Sequence, residues 1–258
     1  MAYPHVLVPF DTSRLAQAAL SFGAWIAWRG GGELDLLRAV VDRPPFSIEP
    51  LAGMAEPAAQ VATAKTEMSL QAARLREKGL TVTGAAFLGE PASVILDYVE
   101  RFGIDLVVMG THARPLVERW LLGSVASEVA RNSPVPVALV PREAKPTHDD
   151  VLRIMVSLDG SPVAESALQA ALQLAGAVPA EVTLFEVLPG EGPSSDEKTA
   201  EWYREPVLGA GGYLPALQAQ IAERGISVQL AYSAGAAGDE IVLFADRGKF
   251  DVVAIGTR

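Results

Sequence analysis

Residues 7–20 read LVPFDTSRLAQAAL, and residues 155–168 read MVSLDGSPVAESAL. In both, a short apolar run ends on an acid, a turn residue and a serine follow, and a stretch rich in alanine and leucine comes next. Asp11 falls on Asp159, 148 positions on. ELDLLRAV at 33–40 matches EVTLFEVL at 181–188 with the same shift. REKGLTVTGAAFLGE at 76–90 follows the pattern of AERGISVQLAYSAGA at 222–236, and FGIDLVVMGT at 102–111 that of KFDVVAIGT at 249–257. There Asp105 faces Asp251, and the shift is 146. Four blocks recurring in one order describe a duplicated unit. The change of shift fits a small deletion in the variable segment between the second and third blocks. PREAKPTHDD at 141–150 has two prolines, mixed charges and no apolar face, which marks a linker. We therefore divide the chain into a first domain over 1–142, a linker over 143–150 and a second domain over 151–258.

One copy reads as alternating strands and helices. Residues 5–10 form a short apolar, β-branched run, as a buried strand does. Asp11, Thr12 and Ser13 supply capping side chains where a helix should start. Leu15, Ala18, Ala19, Phe22 and Ile26 recur at three and four, which makes one helix face apolar, and Gly30-Gly31-Gly32 stops it. A second strand is expected over 34–41, a proline-rich loop over 42–57, a helix over 61–78 and a third strand over 80–88. Pro91 opens the next helix. A fourth strand is expected over 105–109, a short helix over 125–131 and a fifth strand over 135–140. The order implies right-handed crossovers and an α/β fold. We expect two tandem, doubly wound, Rossmann-like parallel sheets, with both faces of each sheet buried. Such a sheet binds ligands beyond the carboxyl ends of its strands, where strand order reverses.

Composition narrows the function. Half of the 258 residues are hydrophobic, a fifth are charged, and the net charge is −10. An acidic chain repels phosphate backbones, so nucleic acid is not an expected partner. There is no cysteine, which removes disulfides, thiolate metal sites and cysteine nucleophiles. Neither a signal peptide nor a run long enough to cross a bilayer is seen, so no membrane partner is expected and the cytoplasm is the expected location.

The segment after the fourth strand carries the chemistry. Residues 110–124 read GTHARPLVERWLLGS. A glycine stands at the strand end, and a Gly-Ser pair opens a helix further on. A helix N-terminus presents unpaired N–H groups and a dipole that favours anions. Gly123 lets a phosphate approach the backbone, and Ser124 can donate its hydroxyl. We read Gly110 as the residue that permits a sharp exit from the sheet. The spacing resembles the phosphate-binding signature of the universal stress protein family: glycine, two residues, glycine, nine residues, then glycine and serine or threonine. Here the middle glycine is replaced by Ala113. The resemblance extends over both copies and so over nearly the whole chain.

That resemblance implies a tandem universal stress protein that binds adenine nucleotide, ATP with or without Mg2+, in a regulatory or stress-response role and not as an enzyme. It implies that Pro9 and Asp11 sit by the adenosine and that Ala39 offers backbone groups to adenine. Met109, Gly110, His112 and Ala113, with Gly123, Ser124 and Val125, would wrap the ribose and phosphates. Single-domain relatives pair through their fifth strands, so a tandem chain is expected to form an intramolecular pseudo-dimer, and further self-association stays open. After Gly256 the second copy has only Thr257 and Arg258. We expect its sheet to stop at four strands unless the natural chain is longer, and we expect nucleotide in the first domain only. The alternative is a nucleotide-free dimerisation or adaptor module.

Other motifs carry less. His5, His112 and His148 have no partner at metal-ligand or triad spacing. Gly209-Ala210-Gly211-Gly212 follows no convincing strand and reads as a loop. Trp25, Trp28 and Trp120 read as packing or interface residues, and Asp149-Asp150 as solvated charge in the linker. An ATP pyrophosphatase-type enzyme needs Ser-Gly-Gly-x-Asp-Ser after the first strand, where this chain has VPFDTS and VSLDGS. A Walker loop ending and a Gly-x-Ser-x-Gly elbow are absent. With no nucleophile–base constellation, catalysis is not expected, although slow ATP hydrolysis stays open.

Overall fold

A computed structural model describes residues 3–42, 56–111, 123–141, 151–188 and 212–257. The chain forms two compact units, residues 1–146 and 147–258. The first contains β1 (His5–Pro9), α1 (Arg14–Gly30), β2 (Glu33–Val40), α2 (Pro57–Arg76), β3 (Thr81–Leu88), α3 (Pro91–Phe102), β4 (Leu106–Thr111), α4 (Ser124–Asn132) and β5 (Val137–Pro141). Its five strands are parallel in the order β3-β2-β1-β4-β5. Strand order reverses at β1, which pairs with β2 on one side and β4 on the other.

The apolar runs become strands because both of their faces are covered. Val6, Leu7, Val8, Leu34, Leu36, Val107 and Val108 are wholly buried. Each such aliphatic side chain contributes about 1.5–3 kcal/mol by leaving water. α1 lies close on the sheet because Ala16, Ala19, Gly23 and Ala27 lie on its buried face beside Leu20 and Ile26. A Cβ at Gly23 would fall 2.6 Å from Val8 Cγ2. Leu7, Leu37, Val107 and Met109 face α3 and α4 across a shared core with Ile95, Val99 and Val129.

The second unit repeats the order with β6 (Leu152–Leu158), α5 (Pro162–Ala177), β7 (Ala180–Leu188), α6 (Tyr213–Ala222), β8 (Val228–Ala234), α7 (Ala237–Arg247) and β9 (Val252–Ala254). Its four strands are parallel in the order β8-β7-β6-β9, the same arrangement without a fifth strand among the described residues. A common device seats the first strand of each sheet. The His5 N–H donates to Asp105 Oδ2 at 2.9 Å, and the Asp105 N–H returns a bond to the His5 carbonyl at 2.9 Å. The Arg153 N–H and Asp251 do the same at 2.8 and 2.9 Å.

Element existence and type follow the sequence reading, while several ends move. α2 begins at Pro57, ahead of the first large apolar residue at Val61, because proline and alanine suit a first turn without needing burial. β4 runs two residues beyond Met109, so Gly110 lies inside the strand, paired with Val140, and makes no sharp exit. His112, Ala113 and Trp120, the linker 143–150 with His148, and Gly209 to Gly211 lie outside the described residues.

Candidate functional site

The β1 end is built by a local hydrogen-bond relay. The Phe10 N–H donates to the Leu37 carbonyl at 2.8 Å, which ties the chain to β2. Asp11 Oδ1 accepts the Ser13 N–H at 3.0 Å, and Ser13 Oγ accepts the Ala16 N–H at 3.2 Å, capping α1. Between them Thr12 adopts φ 68°, a left-handed conformation that is unfavourable for a β-branched residue.

A cavity of about 320 Å³ opens beyond this turn. That is at the small end of the usual range for small-molecule sites. Its walls bring together Pro9, Asp11, Ala39, Met109, Gly110, Gly123, Ser124 and Val125 from the ends of β1, β2 and β4 and the start of α4. The α3 residues Pro91 and Ile95 close one side. The site lies where strand order reverses, as a doubly wound sheet dictates.

Three helices start at this cavity, and they differ in how their first turns are filled. α1 is capped by Ser13. α3 is capped by Glu90, whose Oε2 accepts the Ala92 N–H at 2.9 Å and the Ser93 N–H at 3.1 Å. A carboxylate already occupies the positive end of α3. α4 begins at Gly123 with no side-chain cap. Gly123, Ser124 and Val125 of this turn line the cavity, and a helix start without a side-chain cap suits an anion.

The two glycines of the sequence motif have different reasons. A Cβ at Gly110 would lie 2.5 Å from the Leu15 carbonyl oxygen, so Gly110 is needed for α1 to pack on β4. Gly123 has φ −57°, open to any residue, and a Cβ there would meet nothing within 4 Å among the described residues. Neither backbone strain nor packing by the described residues requires glycine at 123. The space beside it is open to a ligand, and this is the sense in which the residues fit a phosphate.

Sequence reasoning missed Arg38, which also lines the cavity. Its Nη1 is buried without a hydrogen-bond partner among the described residues and stands 3.9 Å from Glu67 Oε2 of α2. The signal was present: Asp35 and Arg38 are charged residues within the otherwise apolar run LDLLRAV.

The corresponding place in the second unit has the same turn and different chemistry. Asp159 Oδ1 accepts the Ser161 N–H at 2.9 Å, and Ser161 Oγ accepts the Ala164 N–H at 3.2 Å. The residue between them is Gly160, at φ 76°. Gly256 repeats the packing of Gly110, because a Cβ there would lie 2.4 Å from the Val163 carbonyl oxygen. Glu186 stands where the first copy has Arg38. Burial raises its pKa above the usual carboxylate value, and Oε2 is buried without a hydrogen-bond partner. Its register neighbour Tyr232 also has a buried, unpartnered hydroxyl. The Tyr213 O–H donates to Glu165 Oε1 at 3.4 Å. Burial, and then the carboxylates of Glu165, Asp159 and Glu186, push the Tyr213 pKa up to about 12. No group of three or more histidine or carboxylate side chains placed to hold a metal occurs among the described residues. Nor is any described helix long and apolar enough to cross a membrane.

Comparison with known proteins agrees with both halves. The model of the universal stress protein family matches residues 2–141 and again 151–258. Universal stress protein MJ0531 of Methanocaldococcus jannaschii is 30% identical over 145 residues, covering 55% of this chain and 85% of that protein. The crystal structure of a universal stress protein from Archaeoglobus fulgidus superposes with a TM-score of 0.69 at 20% identity, covering 97% of this chain and 85% of its own. A putative universal stress protein from Pseudomonas aeruginosa gives 0.57 at 19% identity, covering 98% and 81%. The chain belongs to the universal stress protein family, with two tandem α/β domains of which the second is the smaller.

Proposed function

We propose that the first domain binds one adenine nucleotide, ATP with or without Mg2+, and that this occupancy serves as a regulatory signal in a stress response and not as a catalytic step. The observation that carries the reading is the first turn of α4. It lacks a side-chain cap and opens on a cavity at the strand-order reversal, beside a glycine that no described residue crowds. The N–H groups of Gly123, Ser124 and Val125 would hold phosphate oxygens. Asp11 would face the ribose, and the Ala39 backbone would meet the adenine. His112 and Ala113 belong to the same proposed set. The second domain keeps Asp159 and Gly256 at the corresponding strand ends. Its strand ends also carry Glu186, which repels phosphate.

The test has two stages. Purified protein is denatured and the supernatant analysed for adenine nucleotide by chromatography and mass spectrometry. Calorimetry with ATP then measures stoichiometry. We expect a value near one, loss of binding in Gly123→Val and nearly unchanged binding in Asp159→Ala. A stoichiometry near two, or binding that survives Gly123→Val and fails in Asp159→Ala, overturns the assignment to the first domain. Neither released nucleotide nor heat of binding points to the ligand-free adaptor module.

A further inference from the structure

The outer edge of each sheet is closed at the same point by a different side chain. β3 and β8 end their sheets among the described residues. The Gly89 N–H donates to the Val40 carbonyl at 2.9 Å, and the Gly235 N–H to the Leu188 carbonyl at 3.4 Å. Backbone groups along a strand alternate between its two sides. Residues 82, 84, 86 and 88 of β3, and 228, 230, 232 and 234 of β8, therefore turn their N–H and C=O groups outward. The first outward carbonyl of each strand is taken. Arg76, at the end of α2, donates to the Val82 carbonyl through Nε at 2.8 Å and also through Nη2. Gln218, one turn before the end of α6, donates to the Val228 carbonyl through Nε2 at 2.8 Å. Val82 and Val228 correspond, at the shift of 146 that relates these blocks. The donors do not correspond: Ala222 stands at the Arg76 position and Ala72 at the Gln218 position. Two unlike side chains, from successive turns of the helix, reach the same carbonyl.

We propose that Arg76 and Gln218 are edge guards, which keep a strand of a second copy of this chain from adding to β3 or β8. An unpaired edge is a template for another strand, and natural edge strands are commonly protected by charged side chains or proline. TVTGAAFL of β3 and VQLAYSA of β8 have neither. Two copies of an uncharged strand meet no like-charge repulsion when they pair, so the same edge of a second copy is the fitting partner. Gln218 and Val228 line a surface groove of about 320 Å³ with Pro215, Ala222 and Ile226, which leaves room there for another chain. In each domain the guarding side chain holds the carbonyl to which the incoming strand would first donate.

The competing account is that each contact only ties a helix to the strand that follows it. Sedimentation velocity over a concentration series, with peptide-resolved hydrogen exchange and a melting temperature for each protein, separates the two. The variants are Arg76→Met, Gln218→Met, and Gln218→Met combined with Gln229→Lys. The last puts a charge on an exposed position of β8 without restoring the donor. The proposal expects each methionine variant to self-associate at a concentration about tenfold below wild type, equivalent to about 1.4 kcal/mol. New, concentration-dependent protection should appear in 82–88 for Arg76→Met and in 228–234 for Gln218→Met. The added lysine should return association to the wild-type level and leave the melting temperature where Gln218→Met put it. A lowered melting temperature with unchanged association shows a tie and overturns the proposal. Association whose protection falls outside these two strands, or that the lysine leaves untouched, overturns it too. If both methionine variants fail to fold, the contacts are requirements of folding, and the proposal fails as well.

Discussion

The two domains share the side-chain bonds that start the first helix and seat the first strand, and differ where side chains fill space or carry charge. Asp11 and Asp159 make the same turn, Ser13 and Ser161 cap the same helix, and Asp105 and Asp251 seat the same strand. Inside the sheets the solutions diverge. In the first domain the Tyr98 O–H donates to Asp35 Oδ2 at 3.2 Å. At those two positions the second domain has Phe244 and Thr183, and Phe244 stacks on Phe185 with ring centroids 4.3 Å apart. A partly buried polar pair in one copy stands where the other has an aromatic stack. The duplicated unit therefore tolerates different interiors while the first turn of each copy and the contacts of Gly110 and Gly256 are kept.

The largest expected effect concerns the stack. Phe244→Ala should destabilise the second domain by about 3–5 kcal/mol, since it empties a large buried site beside Phe185 and Phe250. Hydrogen exchange resolved by peptide should place the loss in β6 to β9 and leave β1 to β5 protected as before. Two units in one chain make a single unfolding midpoint a poor readout. Loss of protection throughout would show that the two interiors are not independent.

Gly110→Ala and Gly256→Ala should each cost about 1–3 kcal/mol, because the added methyl meets a helix carbonyl that cannot rotate away. Each loss should appear in its own domain. Gly123→Ala should cost less than about 0.5 kcal/mol in the ligand-free protein. An equal cost at 110 and 123 would break the distinction between a packing glycine and an open one.

The polar pair predicts a pH dependence confined to the first domain's own chemistry. Burial raises the Asp35 pKa above the ordinary carboxylate value, and the bonds from Tyr98 and Thr83 only partly offset this. A carboxyl whose folded pKa lies above its unfolded pKa binds its proton more tightly when folded. The first domain should therefore gain stability as pH falls through the folded pKa of Asp35, and the gain should be complete below the unfolded value. Importing the other domain's solution, Asp35→Thr with Tyr98→Phe, should flatten this component in denaturant titrations of the first domain between pH 4 and 7. A slope that persists unchanged in the double variant would assign it to other groups.

The smallest effect is at the turn. Thr12→Gly copies Gly160 into the first domain and removes a left-handed β-branched residue. Relief of about 1–2 kcal/mol is partly cancelled by the greater freedom of glycine in the unfolded chain. A net gain of about 0.5–1 kcal/mol in urea titrations is expected. A net loss would mean that the Thr12 side chain makes a compensating contact.

Periodicity, punctuation and repetition were sufficient for the alternation of strands and helices, the duplication, the parallel sheets and the strand end where the cavity lies. These depend on patterns within a few residues, and local physics writes them into the chain: apolar runs for strands buried on both faces, capping serines for helix starts, glycine for the left-handed stop at Gly31. Which residues meet across the sheet was not available in that way. Gly110 looked like a loop glycine until the Leu15 carbonyl was found over it. Arg38 carried no reading in the sequence, and folding set it among the cavity-lining residues with Nη1 3.9 Å from Glu67 of α2. Asp35 and Tyr98 are 63 positions apart, and Thr183 and Phe244 replace them without any change in the surrounding pattern of strands and helices. Contacts of that range depend on how the elements pack, because each side chain's environment is supplied by segments that are distant in sequence.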